Sequence, residues 1–271
     1  MTGRRFETVS FLSDFGTSDE FVGVVKSVIR GIAPHATVID ITHDVPPHDV
    51  RAGSLTLMRA AQYLAPGVVL AVVDPGVGTA RRAVAVEVAD GDGVFVGPDN
   101  GLLAPAVSMT GGATRAVELT SDDYHLPAPG PTFAGRDVFA PVASHLCNGV
   151  DLSSLGPSVD PLSLLPGLVP LSDVGSDSAR AEVLWVDRYG NAQLNVDPDE
   201  IEAYGERVIV RWGEKGVRRA VRARTYADIR AGELGLVVDS YGLLSIAFDR
   251  RSAADELGLR AGDSVVIEVP T

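Results

Sequence analysis

Apolar residues recur at helix and strand spacings along the first 150 residues. Residues 18–32 carry an apolar residue every three or four positions, the spacing of one buried helix face. Residues 68–73 are a continuous apolar run between Pro-Gly and Asp-Pro-Gly turns, which is typical of a buried strand. Further strands are predicted at 8–13, 37–42, 83–88 and 94–96, and further helices at 51–63 and 137–147. This alternation predicts an α/β domain with a mostly parallel sheet.

The pattern changes near residue 157. The segment 157–178 contains four prolines, several serines and no clear period, which is typical of a linker. Short strands separated by turns follow, which predicts a small antiparallel sheet or barrel. The strands are predicted at 181–186, 193–196, 207–212, 217–223, 236–238, 243–248 and 264–269. We therefore predict an α/β domain at 1–160, a linker at 161–180 and a β domain at 181–271.

Charge and composition narrow the function classes. The 271 residues include 23 Lys+Arg and 36 Asp+Glu, a net charge of −13, which argues against nucleic acid as a partner. No apolar stretch approaches the roughly 20 residues of a membrane span, and no apolar signal region opens the chain. Cys147 is the only cysteine, which excludes an internal disulfide and a multi-cysteine zinc site. We expect a cytoplasmic globular protein that does not bind membranes.

Polar residues beside glycine follow three predicted strands, at 13–16, 74–79 and 97–101. Asp14 and Asp74 come directly after apolar strands, where open α/β sheets bind ligands. The Gly76-Val77-Gly78 loop lacks both GxGxxG and P-loop spacing, which disfavours a nucleotide phosphate site. The segment 42–49 holds two His and two Asp, but prolines break it and no helical pairing exists, so we predict no metal site.

Seven ordered segments, spread over nearly the whole chain, carry a family resemblance. They are residues 11–16, 39–43 with 47–50, 72–79, 96–103, 131–137, 187–191 and 240–244. Together they resemble the S-adenosyl-L-methionine hydroxide adenosyltransferases (SAM hydrolases), relatives of the fluorinase and chlorinase. The resemblance implies an N-terminal α/β domain, a C-terminal β domain, and homotrimers with active sites between neighbouring subunits. It also implies an enzyme that converts SAM and water to adenosine and L-methionine, with SAM as substrate and no cofactor.

The resemblance places the attacking water against three residues. Asp74 and Arg81 match the first two in type and in their seven-residue spacing. The third is a His in a Thr-Phe-His-Gly-Arg-Asp motif, where this chain has Ala134. The halogenating relatives carry an aromatic residue in place of Asp74 and lack Arg81, so this chain favours water over halide. Because a positioned acid–base group contributes about 10²–10⁴-fold, Ala134 predicts reduced turnover.

The remaining residue roles also come from the resemblance. It places Asp14 on the ribose hydroxyls and His48 beside the ribose, and Phe133 in the pocket wall. At the amino-acid end of SAM the resemblance implies that Asp187 pairs with the methionine ammonium, that Ser240 holds the carboxylate and that Asp19 lies nearby. At the adenine end it implies that Tyr189 stacks on the ring and that Asn191 hydrogen-bonds to its edge.

Other interpretations stay open at this stage. Ala134 fits either a natural, weakened family member or a deliberate His replacement, and the otherwise intact motif favours the latter. A SAM- or adenosine-binding protein without catalysis is the alternative from another class, and a chlorinase-like halogenase is a chemical variant of the enzyme. A SAM-dependent methyltransferase is disfavoured because the Gly-rich loop expected early in that fold is missing.

Overall fold

The structure, a computed structural model, describes residues 3–270. The chain forms two compact units, one ending at Val169 and one beginning at Pro170. Among the described residues no helix is both long and apolar enough to cross a bilayer.

The first unit is built on a seven-stranded sheet. Its strands are β1 (Thr8–Ser13), β2 (Thr37–Thr42), β3 (Gly67–Val72), β4 (Ala83–Val88), β5 (Gly93–Pro98), β6 (Ala113–Glu118) and β7 (Ser158–Val159). They lie in the order β2-β1-β3-β5-β4-β6-β7. The β2-β1-β3-β5 pairings are parallel and the β5-β4-β6-β7 pairings antiparallel. Only β4 and β7 therefore run against the others, which confirms the predicted α/β class.

Helices cover both faces of this sheet. They are α1 (Phe21–Ile32), α2 (Val50–Ala61), α3 (Ala104–Met109) and α4 (Ala140–Cys147). Alternate residues of β3 enter two different apolar clusters: Leu70 packs with Ile29 and Leu146 of α1 and α4, whereas Ala71 packs with Leu57 of α2. Because successive strand side chains point to opposite faces, the continuous apolar run of β3 is the expected sequence of a strand covered on both sides.

The second unit is a barrel. Its strands are β8 (Asp173–Val174), β9 (Ser178–Val186), β10 (Ala192–Leu194), β11 (Arg207–Trp212), β12 (Gly216–Ala223), β13 (Leu234–Val238), β14 (Leu244–Ala247) and β15 (Ser264–Glu268). The order β10-β14-β13-β12-β11-β15-β9 closes through a β9–β10 pairing, and β8 extends beside β9. All of these pairings except β12–β13 are antiparallel. The predicted barrel-like β domain is confirmed.

The predicted elements differ from the observed ones at three places. Helix α1 begins at Phe21 with Glu20 as N-cap residue, not at Ser18. The segment predicted as one helix at 137–147 is a π-helical turn, Gly135–Phe139, that continues into α4. Sequence periodicity did not predict β6 or the short helices α3 and α5 (Ala253–Leu257). These elements are five or six residues long, too short to display a full period.

Candidate active site

The carboxyl ends of β1 and β3 lie side by side, and an aspartate follows each strand. Parallel pairing places Ser13 opposite Val72, so Asp14 and Asp74 leave the sheet at the same edge. Open α/β sheets bind ligands at this edge. The fold thus brings together two of the three strand ends that the sequence singled out.

A cavity of about 240 Å³ opens beside these strand ends. Five of the residues predicted to act in the site line it, namely Asp14, His48, Asp74, Phe133 and Ala134. They come from four separate stretches of the chain, so the fold of the first unit assembles the group. Asp19 is exposed and is not among the residues lining this cavity.

A buried ion pair joins Asp74 to Arg81. Arg81 Nε donates to both carboxylate oxygens of Asp74 at 2.9 Å, and Arg81 Nη2 donates to Oδ2. The Arg81 and Asp74 side chains are only 16% and 5% exposed. The guanidinium also lies 5.2 Å from the ring centroid of Phe139, within cation–π range. Both charges are therefore fixed in position away from bulk water.

The carboxylate of Asp74 keeps acceptor capacity in this arrangement. Its Oδ1 receives one hydrogen bond from Arg81, whereas a carboxylate oxygen has two acceptor sites. Asp74 itself lines the cavity. The pair can thus hold a small hydrogen-bond donor, such as water, at a defined place on the cavity wall.

Asp14 fixes the backbone of His48. The carboxylate oxygen Oδ2 of Asp14 accepts from the backbone N–H of His48 at 2.8 Å. His48 has φ +67°, a left-handed conformation that costs about 1 kcal/mol outside glycine. Residues held in such conformations cluster at ligand sites. The Asp14 bond offsets this cost and keeps the His48 ring at the cavity.

Three phenylalanines form an aromatic wall of the cavity. The ring centroids of Phe15 and Phe21 lie 5.7 Å and 5.0 Å from that of Phe133. They close over Gly135, where a Cβ atom would lie 2.9 Å from Phe15 Cζ and 3.2 Å from Phe133 Cε2. The wall therefore requires glycine at position 135.

Ala134 lies between this cavity and a second one. The second cavity, of about 550 Å³, is lined by Arg81, His125 and Ala134 among others. Asp74 lines the first cavity and its partner Arg81 lines the second. The ion pair and the small side chain of Ala134 thus separate the two spaces.

Sequence reasoning missed Phe15, Phe21 and His125 as lining residues. The apolar spacing of residues 18–32 predicts Phe21 on a buried helix face, yet it is 38% exposed while Val25 and Ile29 are fully buried. Phe15 stands between Asp14 and Gly16 after β1. Its position next to the candidate site residue Asp14 was the one feature of the sequence that could have predicted it as a lining residue. His125 lies in a segment without period and gave no signal in the sequence.

The third strand end serves a structural purpose. Asp99 Oδ2 accepts from Arg82 Nε at 2.8 Å, and Asp99 Oδ1 accepts from the backbone N–H of Leu165 at 2.8 Å. Asn100 donates to the carbonyl of Val73 at 2.9 Å. The Asp99 bonds thus tie Arg82 and Leu165 to the end of β5, and the Asn100 bond ties that end to the residue after β3.

Two other histidines brace the first unit. His43 is buried, with Nδ1 2.8 Å from Ser13 Oγ and Nε2 3.0 Å from Asp40 Oδ1. His35 Nε2 lies 3.2 Å from the carbonyl oxygens of Phe6 and Cys147. Residues 3–270 contain no cluster of three or more His, Cys, Asp or Glu that would hold a metal ion.

In the second unit, Asp187 organises the loop after β9. Its Oδ1 accepts from the backbone N–H groups of Tyr189 and Asn191 at 2.8 Å, and its Oδ2 accepts from Asn191 Nδ2 at 2.8 Å. Gly190 has φ +82°, and a Cβ atom there would lie 2.0 Å from Ser252 Oγ. Tyr189 is held in this tight loop with its side chain 78% exposed.

A cavity of about 440 Å³ adjoins this loop. Tyr189 and Asn191 line it together with Tyr226 and Phe248, so two of the four predicted residues of this unit share one aromatic recess. Ser240 is exposed and is not among its lining residues. The second unit thus presents a concave surface with rings and an amide, suited to a flat heterocycle.

Family profiles and curated relatives match nearly the whole chain. The family profile of the SAM hydroxide adenosyltransferase N-terminal domain matches residues 9–156, and that of the C-terminal domain matches residues 181–266. A curated (R)-S-adenosyl-L-methionine hydrolase from Salinispora tropica is 46% identical over 94% of this chain and 95% of its own length. The hydrolase of the same name from Thermus thermophilus is 42% identical over 94% and 96%.

More distant sequences and solved structures extend the comparison. A fluorinase from Actinopolyspora mzabensis is 27% identical over 95% of both chains. The crystal structure of an uncharacterized conserved protein from Thermotoga maritima superposes with a TM-score of 0.88 at 37% identity, covering 96% of this chain and 99% of that one. The Thermotoga protein thus shares the fold over nearly all of this chain.

Proposed function

The chain belongs to the SAM hydroxide adenosyltransferase family, and on that premise we propose that it is an enzyme that hydrolyses S-adenosyl-L-methionine to adenosine and L-methionine. The observation that carries the proposal is the buried Asp74–Arg81 pair on the wall of an aromatic-lined cavity. Because the curated relatives are named (R)-S-adenosyl-L-methionine hydrolases, we expect this chain to act on the R sulfonium epimer.

The reaction needs a positioned water more than a strong acid. A sulfonium is already a good leaving group, so the carbon–sulfur bond breaks without prior protonation. The step requires a water oriented at the face of C5′ opposite sulfur, and it requires an acceptor for the proton of that water. Asp74 Oδ1 holds that water by accepting a hydrogen bond from it, and Arg81 stabilises the hydroxide character that develops on the water oxygen.

The other residues of the first unit hold the substrate. Asp14 retains acceptor sites beyond its bond to His48, which suits a ribose diol, and the His48 ring flanks the sugar. The rings of Phe15, Phe21 and Phe133 line the same cavity. Aromatic rings attract ligand cations, so this wall stabilises the positive sulfonium as it binds.

The second unit supplies the remaining substrate contacts in this proposal. Tyr189 stacks on adenine, Asn191 bonds the adenine edge, and Asp187 pairs with the methionine ammonium. Ser240 holds the carboxylate and Asp19 faces the amino-acid end. The complete site forms between neighbouring subunits of a homotrimer, in the cytoplasm and without a cofactor.

Ala134 distinguishes this chain within the proposal. An imidazole at this position would lie beside the Asp74–Arg81 pair, whereas alanine supplies no proton acceptor. We expect turnover below that of the A134H variant, while substrate contacts stay intact. The same residue favours the second candidate, a SAM- or adenosine-binding protein without catalysis.

The products of SAM turnover separate the candidates. The purified chain is incubated with each sulfonium epimer, with and without chloride, and the products are resolved by chromatography. Adenosine with methionine supports hydrolysis, and a chlorinated nucleoside that needs chloride supports a halogenase. S-adenosylhomocysteine would indicate methyl transfer. Tight binding of SAM without product, in this chain and in A134H, would contradict the proposal in favour of a binding protein.

A further inference from the structure

His43 joins a row of polar side chains inside the first unit. On one side of its ring, Nε2 lies 3.0 Å from Oδ1 of Asp40. On the other side, Nδ1 lies 2.8 Å from Oγ of Ser13. Lys26 of α1 donates from Nζ to Oδ2 of Asp40 at 2.6 Å. Lys26, Asp40, His43 and Ser13 thus form one hydrogen-bonded polar row that ends directly before Asp14 in the chain.

The polar row runs from the surface into the core of the unit. The side chains of Lys26 and Asp40 are partly exposed, whereas His43 is buried and Ser13 is fully buried. The His43 ring also packs edge-on against the buried ring of Phe11, at a centroid distance of 4.5 Å. Because a buried polar group that loses its partner costs free energy, the inner half of the row depends on its own hydrogen bonds.

The proton positions in the polar row follow from the carboxylate near its outer end. Burial alone would raise the pKa of Asp40, but hydrogen bonds from Lys26 and His43 outweigh burial and hold this pKa below its ordinary value of 3.8. Asp40 is therefore ionised near neutral pH, and an ionised carboxylate only accepts hydrogen bonds. His43 Nε2 must then carry the proton and donate it, which leaves Nδ1 of the neutral ring as the acceptor for the Ser13 hydroxyl.

The polar row fixes the loop that carries Asp14. Since the Ser13 hydroxyl points its proton at His43, its oxygen is available to accept from the backbone N–H of Phe15, at 3.4 Å. The backbone of His43 adds a second bond, because its carbonyl accepts from the N–H of Gly16 at 2.8 Å. The residues on both sides of Asp14 are therefore tied to His43.

This loop contributes Asp14 and Phe15 to the wall of the first cavity. The bond from the His48 N–H to Asp14 Oδ2 leaves further acceptor sites on the Asp14 carboxylate. The backbone of the loop sets the direction of these sites. Anything that holds the loop therefore also aims the Asp14 carboxylate into the cavity.

Serine, histidine and aspartate in this order also form the catalytic triad of many hydrolases. A nucleophile must touch its substrate, yet Ser13 is fully buried and is not among the residues that line the cavity. His43 is not among them either. The polar row thus acts through the loop residues that it holds, and not by attack on a ligand.

We propose that His43 is a positioning residue that determines specificity for the ribose, because it aims the carboxylate of Asp14 at the ribose hydroxyls. This inference rests on the proposed function, in which Asp14 contacts that diol. Asp40 keeps the His43 ring in the proton arrangement that Ser13 requires, and Ser13 passes the constraint to the backbone of Phe15. Since a hydrogen bond weakens steeply with poor distance and angle, a released loop keeps Asp14 but loses its selective contact with the hydroxyls.

The test measures how strongly the chain prefers a nucleoside that has ribose hydroxyls. Titration calorimetry gives the Kd of adenosine and that of 2′,3′-dideoxyadenosine, which lacks both hydroxyls. Because hydrogen bonds to a charged group are strong, we expect the unchanged chain to bind adenosine about 10-fold more tightly or better. H43F keeps a buried ring but removes both nitrogens, and it should lower this preference by about fivefold, the equivalent of one ordinary hydrogen bond. S13A should lower the preference in the same direction.

Two further variants separate positioning from folding. H43N offers an amide oxygen at the place of Nδ1, so it keeps an acceptor for Ser13 and should retain more of the preference than H43F. H35F is the matched control, because His35 braces the same unit through the carbonyls of Phe6 and Cys147, and none of the three lines the cavity. It should leave the preference unchanged. Thermal unfolding checks the folding of each variant, and S13A carries the test if H43F does not fold.

A double-mutant cycle examines whether His43 acts through Asp14. D14A should weaken adenosine binding by about 10-fold, because it removes the proposed contact with the diol. If His43 only positions Asp14, the double variant D14A/H43F should bind adenosine no more weakly than D14A. Losses that multiply would show that His43 affects binding independently of Asp14, and they would overturn the inference.

The outcomes separate this inference from the proposed function. If the unchanged chain neither turns over SAM nor binds adenosine, the proposed function fails and the inference fails with it. If the chain turns over SAM but does not prefer adenosine to the dideoxynucleoside, or if H43F and S13A keep the full preference, the function stands and His43 does not set ribose specificity. An equal loss of preference in H35F would assign the effect to general destabilisation and would also overturn the inference.

Discussion

Asp74 accepts both 2.9 Å hydrogen bonds of Arg81 Nε, one on each carboxylate oxygen. This bifurcated geometry orients the carboxylate edge-on to the guanidinium, and Nη2 adds a further bond to Oδ2. The two residues are separated by the Gly76–Thr79 turn, which the Thr79 hydroxyl closes on the carbonyl of Gly76 at 2.6 Å. A short loop that is stabilised by its own hydrogen bond thus connects Asp74 to Arg81, the ion pair of the proposed reaction.

Replacing Asp74 by Asn should lower kcat by about 10²–10³-fold, because a neutral amide neither balances the Arg81 charge nor matches a carboxylate as the acceptor that orients the water. R81K keeps the positive charge but lacks the planar guanidinium that binds both carboxylate oxygens, and we expect a similar decrease in kcat. Steady-state kinetics with the R epimer measure both effects. Unchanged kcat in both variants would remove the ion pair from the mechanism.

The ion pair should also contribute to stability. Removing one partner of a buried pair leaves an uncompensated charge and costs about 3–5 kcal/mol. R81A should therefore lower the free energy of unfolding by this amount in urea titrations, whereas the exposed pair Arg211–Glu268 should lose at most about 1 kcal/mol in R211A. Equal losses in the two variants would contradict the assignment of Asp74 and Arg81 as a buried pair.

Gly135 should tolerate no side chain. G135A places a methyl group 2.9 Å from Phe15 Cζ and 3.2 Å from Phe133 Cε2, so the aromatic wall must shift. We expect a loss of about 1–3 kcal/mol in stability and a higher KM for SAM. G130A is the matched control, because a Cβ atom at Gly130 meets nothing within 4 Å. A G135A enzyme with unchanged KM would show that the wall does not contact substrate.

The loop of Tyr189 and Asn191 should depend on Gly190. G190A combines a left-handed backbone with a contact of 2.0 Å to Ser252 Oγ, and we expect it to destabilise the second unit by about 1–3 kcal/mol. Gly258 is also left-handed, with φ +68° and ψ +29°, and has open space around it. G258A therefore isolates the backbone cost, about 1 kcal/mol, and should be the milder variant in thermal unfolding.

Stability should decline as the pH falls below about 6.5. Burial lowers the pKa values of His125 and His145 in the folded chain from the ordinary 6.5. The unfolded chain then binds more protons in the window just below 6.5, so the stability present above that pH is lost as the pH falls. Urea midpoints should drop over this window and drop less in H145Q. An unchanged slope in H145Q would contradict a buried neutral His145.

The sequence predicted most strands because their apolar runs are long and bounded by turns, as in β1 and β3. The helix predicted from residue 18 begins instead at Phe21, with Glu20 as the N-cap residue. The π-helical turn Gly135–Phe139 was read as ordinary helix. A single extra residue per turn leaves no mark on apolar periodicity over one turn.

Some residues of the candidate site could be predicted from the sequence, and others could not. Asp14 and Asp74 were predictable because residues after parallel strands converge at one edge. Asp99 occupies an equivalent place in the sequence, yet it binds Arg82 and Leu165, partners that only the tertiary fold supplies. His125 was not predictable, because its relation to Ala134 depends on the backbone bond between Leu126 and Asp137.

The origin of the oxygen in the product is the measurement to make first. SAM is turned over in water labelled with heavy oxygen, and the adenosine and methionine are analysed by mass spectrometry. Attack of water at C5′ predicts one labelled oxygen on the ribose of adenosine and none on methionine, with the signal strongly reduced in D74N. Unlabelled adenosine, or a nucleoside without the new hydroxyl, would contradict hydrolysis at C5′.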